Sequence, residues 1–99
     1  MKLYVIVKKT LTTGLKCAQA IHAFRAFCGE YPHLEAYWHT EHNNIVVLQV
    51  DDIESMAAGL EQEGYRLSRF CEPDLADELT AICVEPGAWR VLSSLPLAA

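Results

Sequence analysis

Ninety-nine residues with 52% hydrophobic and 21% charged side chains suffice for one domain over residues 1–99, and exclude a two-domain organisation or an intrinsically disordered chain. A net charge of −5 excludes a protein that works by general phosphate neutralisation, which calls for a basic surface, so DNA is not an expected partner. No apolar run approaches the ~20 residues of a membrane span, and the Leu3–Val7 stretch is too short for a secretory core, so a cytoplasmic protein without a membrane partner is expected.

Leu3 to Lys8 is β-rich and apolar on both faces, as a central buried strand requires. Thr10–Gly14 reads as a turn, with Thr12 or Thr13 capping a helix from Leu15 to about Gly29 on which Ala18, Ile21, Phe24 and Cys28 recur at helical spacing. Pro32 follows as a stop. Tyr31 to Asn43 reads as a polar and aromatic connection with room for a short helical turn. Asn44–Val50 is a second apolar strand, expected to be buried. Asp51 or Asp52 caps the next helix, which presents Ile53, Met56, Ala57 and Leu60 on one face and closes at Gly64. Tyr65–Cys71 alternates as a third strand nearer an edge, Glu72–Glu78 is an acidic loop, Leu79–Val84 a fourth strand, and Ala88–Leu95 a short terminal helix. The order is that of a small α/β domain, with helices flanking a mixed four-stranded sheet.

The cysteines at 17, 28, 71 and 83 form no C-x-x-C pair and read as small buried hydrophobes. Charge is uneven. Residues 1–50 hold five Lys or Arg against three Asp or Glu, and residues 51–99 three against ten. Any contact with a nucleic acid must therefore be local, through Lys8, Lys9, Lys16 and Arg25.

Lys16, Gln19 and His22 fan across one surface of the first helix, and the free N–H groups at its start make a seat for phosphate or an oxyanion. Glu72, Asp74, Asp77 and Glu78 crowd one loop that Pro73 stiffens, and carboxylates so placed can orient water or dock a basic partner. His33, His39 and His42 share only composition with metal ligands. Their spacing of six and then three residues lies in a segment without firm periodicity, so no metal and no cofactor is expected. Trp38 and Trp89 read as core or interface anchors.

Three stretches together resemble the peptidyl-tRNA hydrolase 2 family. The turn Val7-Lys8-Lys9-Thr10-Leu11-Thr12-Thr13-Gly14 leads into Cys17-Ala18-Gln19-Ala20-Ile21-His22-Ala23, which keeps that family's A-Q-x-x-H-A core. Trp38 precedes the β-branched strand Ile45-Val46-Val47-Leu48, and Phe70-Cys71-Glu72-Pro73-Asp74 and Thr80-Ala81-Ile82-Cys83-Val84-Glu85-Pro86 stand where the family has D-A-G and T-V-L-A-I-G-P. The family's lysine falls on Leu15, one residue before Lys16, and its aspartate on Glu72. The resemblance implies an esterase that releases peptides from the 3′ end of tRNA. It implies Lys16, His22, Glu72 and Asp74 as the catalytic set and Lys8, Lys9, Gln19 and Thr80 as substrate-binding residues. The alternative is a non-catalytic, homodimeric binding module on the same scaffold.

Overall fold

The computed structural model describes residues 1–99. Its sheet has the order β2-β1-β4-β3, built from β1 (Lys2–Lys8), β2 (Asn44–Val50), β3 (Leu67–Glu72) and β4 (Glu78–Val84). β1 runs parallel to β2 and antiparallel to β4, and β4 is antiparallel to β3, so the sheet is mixed. Four helices cover it: α1 (Thr13–Glu30), α2 (Pro32–Glu41), α3 (Ile53–Gln62) and the short α4 (Trp89–Leu92).

The central place of β1 explains why its sequence lacks polar alternation. Leu3, Val5 and Val7 pack with Ala81, Cys83 and the α1 residues Ala20, Ala23 and Phe27 on one face. Tyr4 and Ile6 pack with Ile82, Val84 and the α3 residues Ile53, Ala57 and Leu60 on the other. A strand buried on both sides must be apolar at every position.

β2 departs from expectation. It is an edge strand, half-exposed over much of its length, and Ile45 stays 49% exposed. An apolar run marks a strand but does not say how many faces are covered. The connection after α1 is also more ordered than the sequence suggests, because α2 occupies ten of its residues. Pro32 opens α2 at its first turn, where a missing N–H costs nothing, and Glu35 meets the positive end of the helix. Leu34 and Trp38 then face the Phe24–Phe27 side of the core, with the Trp38 indole N–H donating to the Asn44 carbonyl at 2.6 Å. Pro32 thus starts a helix as well as ending one.

α1 is capped by Thr12, whose Oγ1 accepts from the Leu15 N–H at 3.5 Å. Its buried stripe is Lys16, Gln19, Ala20, Ala23 and Phe27, so two of the innermost positions are polar. Of the cysteines only Cys83 is buried. Cys28 is half-buried, whereas Cys17 and Cys71 are exposed, which corrects the reading of all four as core residues. Helical or strand periodicity alone does not reveal which face a one-turn neighbour occupies. Burial pushes the Cys83 thiol strongly up, and burial and then Glu35 raise Cys28, so both stay protonated and unreactive near neutrality.

α3 is capped by Asp52, whose carboxylate accepts from the Ser55 N–H at 3.1 Å and the Ser55 hydroxyl at 2.8 Å. These bonds, the main-chain one foremost, hold the Asp52 carboxyl below its ordinary value. A carboxyl lowered in the folded state stabilises above its unfolded pKa, and the contribution disappears as pH falls through the folded one. Asp52→Ala is therefore expected to lower the melting temperature at neutral pH. The gap to wild type should close on acidification below about pH 4. Thermal melts at several pH values check this, and a gap independent of pH would refute the capping role.

No helix is long and apolar enough to cross a membrane.

Candidate functional site

The first helix and the acidic turn meet at the end of the sheet where β1 and β3 finish and β4 begins. Between Phe70 and Cys71 the β3–β4 register shifts, so that Phe70 lies opposite Ala81 and Cys71 opposite Leu79. Thr80 is the extra residue of a β-bulge, a device that re-aims a side chain. Leu79 and Ile82 go to the α3 side of the sheet, while Thr80 reaches α1.

There the Thr80 hydroxyl donates to Gln19 Oε1 at 2.7 Å, and the Gln19 amide donates from Nε2 to Glu72 Oε1 at 3.4 Å. Thr80 is fully buried and Gln19 is 1% exposed, whereas Glu72 is only half-buried. The three form a chain that runs from the interior to the rim and sets the amide orientation, since the oxygen must face the hydroxyl and the nitrogen the carboxylate. A buried polar pair of this kind is costly unless satisfied, and here each member satisfies another.

His22, one turn further along α1, is exposed and lies flat on Phe70, with ring centroids 4.4 Å apart and planes 10° from parallel. Phe70 and Glu72 are alternate residues of β3 and so share a face. His22, Gln19 and Glu72 therefore occupy neighbouring ground. The Lys8 ammonium pairs with Glu78 at 2.6 Å across the same end of the sheet. Lys9 is exposed just beyond it, its N–H donating to the Val50 carbonyl at 2.9 Å.

The turn after β3 folds tightly. Pro73–Leu75 forms one 3-10 turn, and Ala76 and Asp77 follow in the left-handed region at φ 55° and 59°. Two consecutive non-glycine residues there cost on the order of 1–2 kcal/mol each, offset partly by the Asp77 N–H bond to the Glu72 carbonyl at 2.9 Å. Asp74 is exposed in this turn and makes no side-chain hydrogen bond or ion pair with the rest of the chain.

Lys16 is not part of this group. It is 8% exposed, and its ammonium donates to Gln49 Oε1 on β2 at 2.9 Å and to the main-chain oxygen of Ala99 at 3.2 Å. β2 lies at the opposite edge of the sheet from β3. From the same inner stripe of α1, Lys16 thus leans toward one edge and Gln19 toward the other.

His39 Nδ1 lies 3.3 Å from Asn43 Oδ1, and no three His, Cys, Asp or Glu side chains come together where they could hold a metal.

Sequence reasoning missed Phe70 and Gln49, and the pairing of Glu78 with Lys8. Gln49 carried a signal, as the only uncharged polar side chain between Ile45 and Val50 in an otherwise apolar strand. The Lys8–Glu78 pair had no signal beyond the place of Glu78 in an acidic run, since it joins residues seventy positions apart. Phe70 had none, because the stacking depends on which face of β3 lies under α1. No protein-family model and no curated protein matches this sequence.

Proposed function

We propose that this protein is a cytosolic ester hydrolase of the peptidyl-tRNA hydrolase type, or a divergent relative, acting at the sheet end that carries Gln19, Thr80 and Glu72. The observation that supports this reading is the Thr80–Gln19–Glu72 hydrogen-bonded chain, which ties the A-Q-x-x-H-A helix to a rim carboxylate.

In this reading Glu72 is the general base. It takes a proton from water, whose oxygen attacks the ester carbonyl carbon joining the peptide to the 3′ ribose oxygen. The C–O bond then breaks, and the ribose oxygen leaves with a proton from His22, giving a free peptide acid and a free 3′ hydroxyl. Gln19 positions the base and is itself positioned by Thr80. Lys9 supplies the local positive charge for the terminal phosphates, beside a Lys8 ammonium that Glu78 already neutralises. Four free cysteines accord with a reducing compartment.

Purified protein is expected to deacylate an N-blocked aminoacyl-tRNA faster than the spontaneous rate. Glu72→Gln should lower that rate by about 10²–10⁴-fold, the usual worth of a general base. A wild-type protein no faster than buffer would end the esterase reading. The competing reading, a non-catalytic homodimeric binding module, is favoured by a groove between α1 and β2 lined only by Val5, Ala20, Ile21, Phe24, Ile45 and Val47. An inert protein that sediments as a dimer would support it.

A further inference from the structure

The segment after α4 lies along β2 as an added strand. The Gln49 N–H donates to the Pro96 carbonyl at 3.1 Å, the Ala98 N–H donates to the Val47 carbonyl at 2.9 Å, and Leu48 bridges Leu97 in antiparallel fashion. Gln49 Oε1 also accepts from the Ala99 N–H at 3.4 Å, and Lys16 holds the Ala99 oxygen. Lys16 is buried without any Asp or Glu side chain paired to it. A near-buried ammonium needs strong acceptors, and half of its hydrogen-bonding here comes from this segment.

The segment does not fill the place it occupies. A cavity of about 200 Å³ remains between it and α1, bounded by Thr13, Lys16, Cys17, Ala20, Val47 and Ala98 with Ala99. Leu97 is 66% exposed, so the segment is held mainly by main-chain bonds and by the small Ala98. Few buried contacts place such a segment at the low-stability end of a fold.

We propose that the edge of β2, together with Lys16, Gln49 and the first turns of α1, is a binding site for an extended peptide segment. Residues Pro96–Ala99 occupy it in cis as a displaceable ligand. The peptide adds a strand to β2 through main-chain hydrogen bonds, places an apolar side chain larger than alanine in the cavity, and gives a carbonyl or carboxylate oxygen to Lys16. The site is independent of the esterase reading, since Gln19, Thr80 and Glu72 take no part in it.

The full chain carrying Ala98→Pro tests this, because proline removes the N–H that bonds Val47 and so loosens the cis segment. The probe is a fluorescent hexapeptide of residues 94–99, made with either alanine or leucine at the Ala98 position, and binding is read by anisotropy. Relief of self-occupancy is expected to tighten binding to the Ala98→Pro protein by about tenfold over wild type, and the leucine peptide should bind more tightly than the alanine one. Adding Lys16→Met should weaken binding by about tenfold while Lys16→Arg retains it, the loss expected of a charged hydrogen bond. Equal binding by wild type and Ala98→Pro, no preference for leucine, or indifference to Lys16→Met would overturn the proposal. Amide exchange at Gln49, faster in Ala98→Pro, reports release of the segment and separates a failed release from a failed site; protection of the Gln49 amide unchanged in Ala98→Pro would itself refute displaceability.

Discussion

Phe27→Ala is expected to destabilise the domain by roughly 3–5 kcal/mol, the cost of removing a buried ring and leaving its cavity. Phe27 is fully buried, sits at the inner end of the α1 stripe, and packs among Leu3, Val5, Ala23 and Trp38, with the Tyr31 ring centroid 5.2 Å from its own. It therefore ties α1 and α2 to the face of the sheet on which Gln19 and Lys16 also lie. A domain of this size has only about 5–15 kcal/mol in total, so the loss removes a large share. At about 4–8 °C per kcal/mol for a chain of this length, the melting temperature should fall by roughly 12 °C or more. Ile21, on the same helix but 67% exposed, provides the contrast. Ile21→Ala should change stability by no more than about 0.5 kcal/mol, as surface substitutions usually do. Chemical denaturation of both variants checks the pair, and similar losses in the two would mean that α1 is rotated from the orientation described.

The contrast between those two residues also shows what could be read from the sequence. The strands, α1 and α3 follow from local pattern: a doubly apolar run for β1, a 3–4 spacing for α3, and a Thr or Asp before each of the two helices. The face of α1 does not: the stripe read at Ala18, Ile21, Phe24 and Cys28 is exposed or half-exposed, and Lys16, Gln19, Ala20, Ala23 and Phe27 are buried instead. What failed was what depends on distant partners. β2 has nearly the composition of β1, but whether its second face and outer edge are covered depends on where α1 and the Pro96–Ala99 segment lie. α2 was hidden because Pro32 reads equally as a stop and as a first helical residue, and only the packing of Leu34 and Trp38 decides between them.

The site divides in the same way. The pairing of Gln19 with the acidic turn agrees with the placement of the A-Q-x-x-H-A helix and the loop after β3. The bulge that turns Thr80 toward α1 has no local signature, since no glycine marks it. One helix face joins Lys16 to Gln19 and His22 in the sequence, yet the structure separates them. A difference of three residues on a helix is a turn of about 60° short of a full circle, enough for two long side chains to reach opposite edges of a narrow sheet.

The Gln19–Thr80 pair should show a large energetic coupling. Thr80→Val keeps the shape of the side chain and deletes the hydroxyl, leaving Gln19 Oε1 buried with no other protein donor. Gln19→Met keeps much of the volume and deletes the amide, but Thr80 retains a weaker bond to the Phe70 carbonyl at 3.4 Å. Leaving a buried polar group unpaired costs about 1–3 kcal/mol, so Thr80→Val should be the more damaging of the two. Once one partner is gone, removing the other relieves an unsatisfied group, so the double variant should cost less than the sum of the singles by roughly 0.5–3 kcal/mol. A double-mutant cycle by urea denaturation measures this. Additive effects would mean that the two groups do not depend on one another, and the polar chain would then give no fixed position to Glu72. On the proposed esterase reading the same variants carry a second readout: assayed well below their melting temperatures, both should lose ester hydrolysis while remaining folded, because the Gln19 amide is the side chain that bonds the carboxylate at the rim.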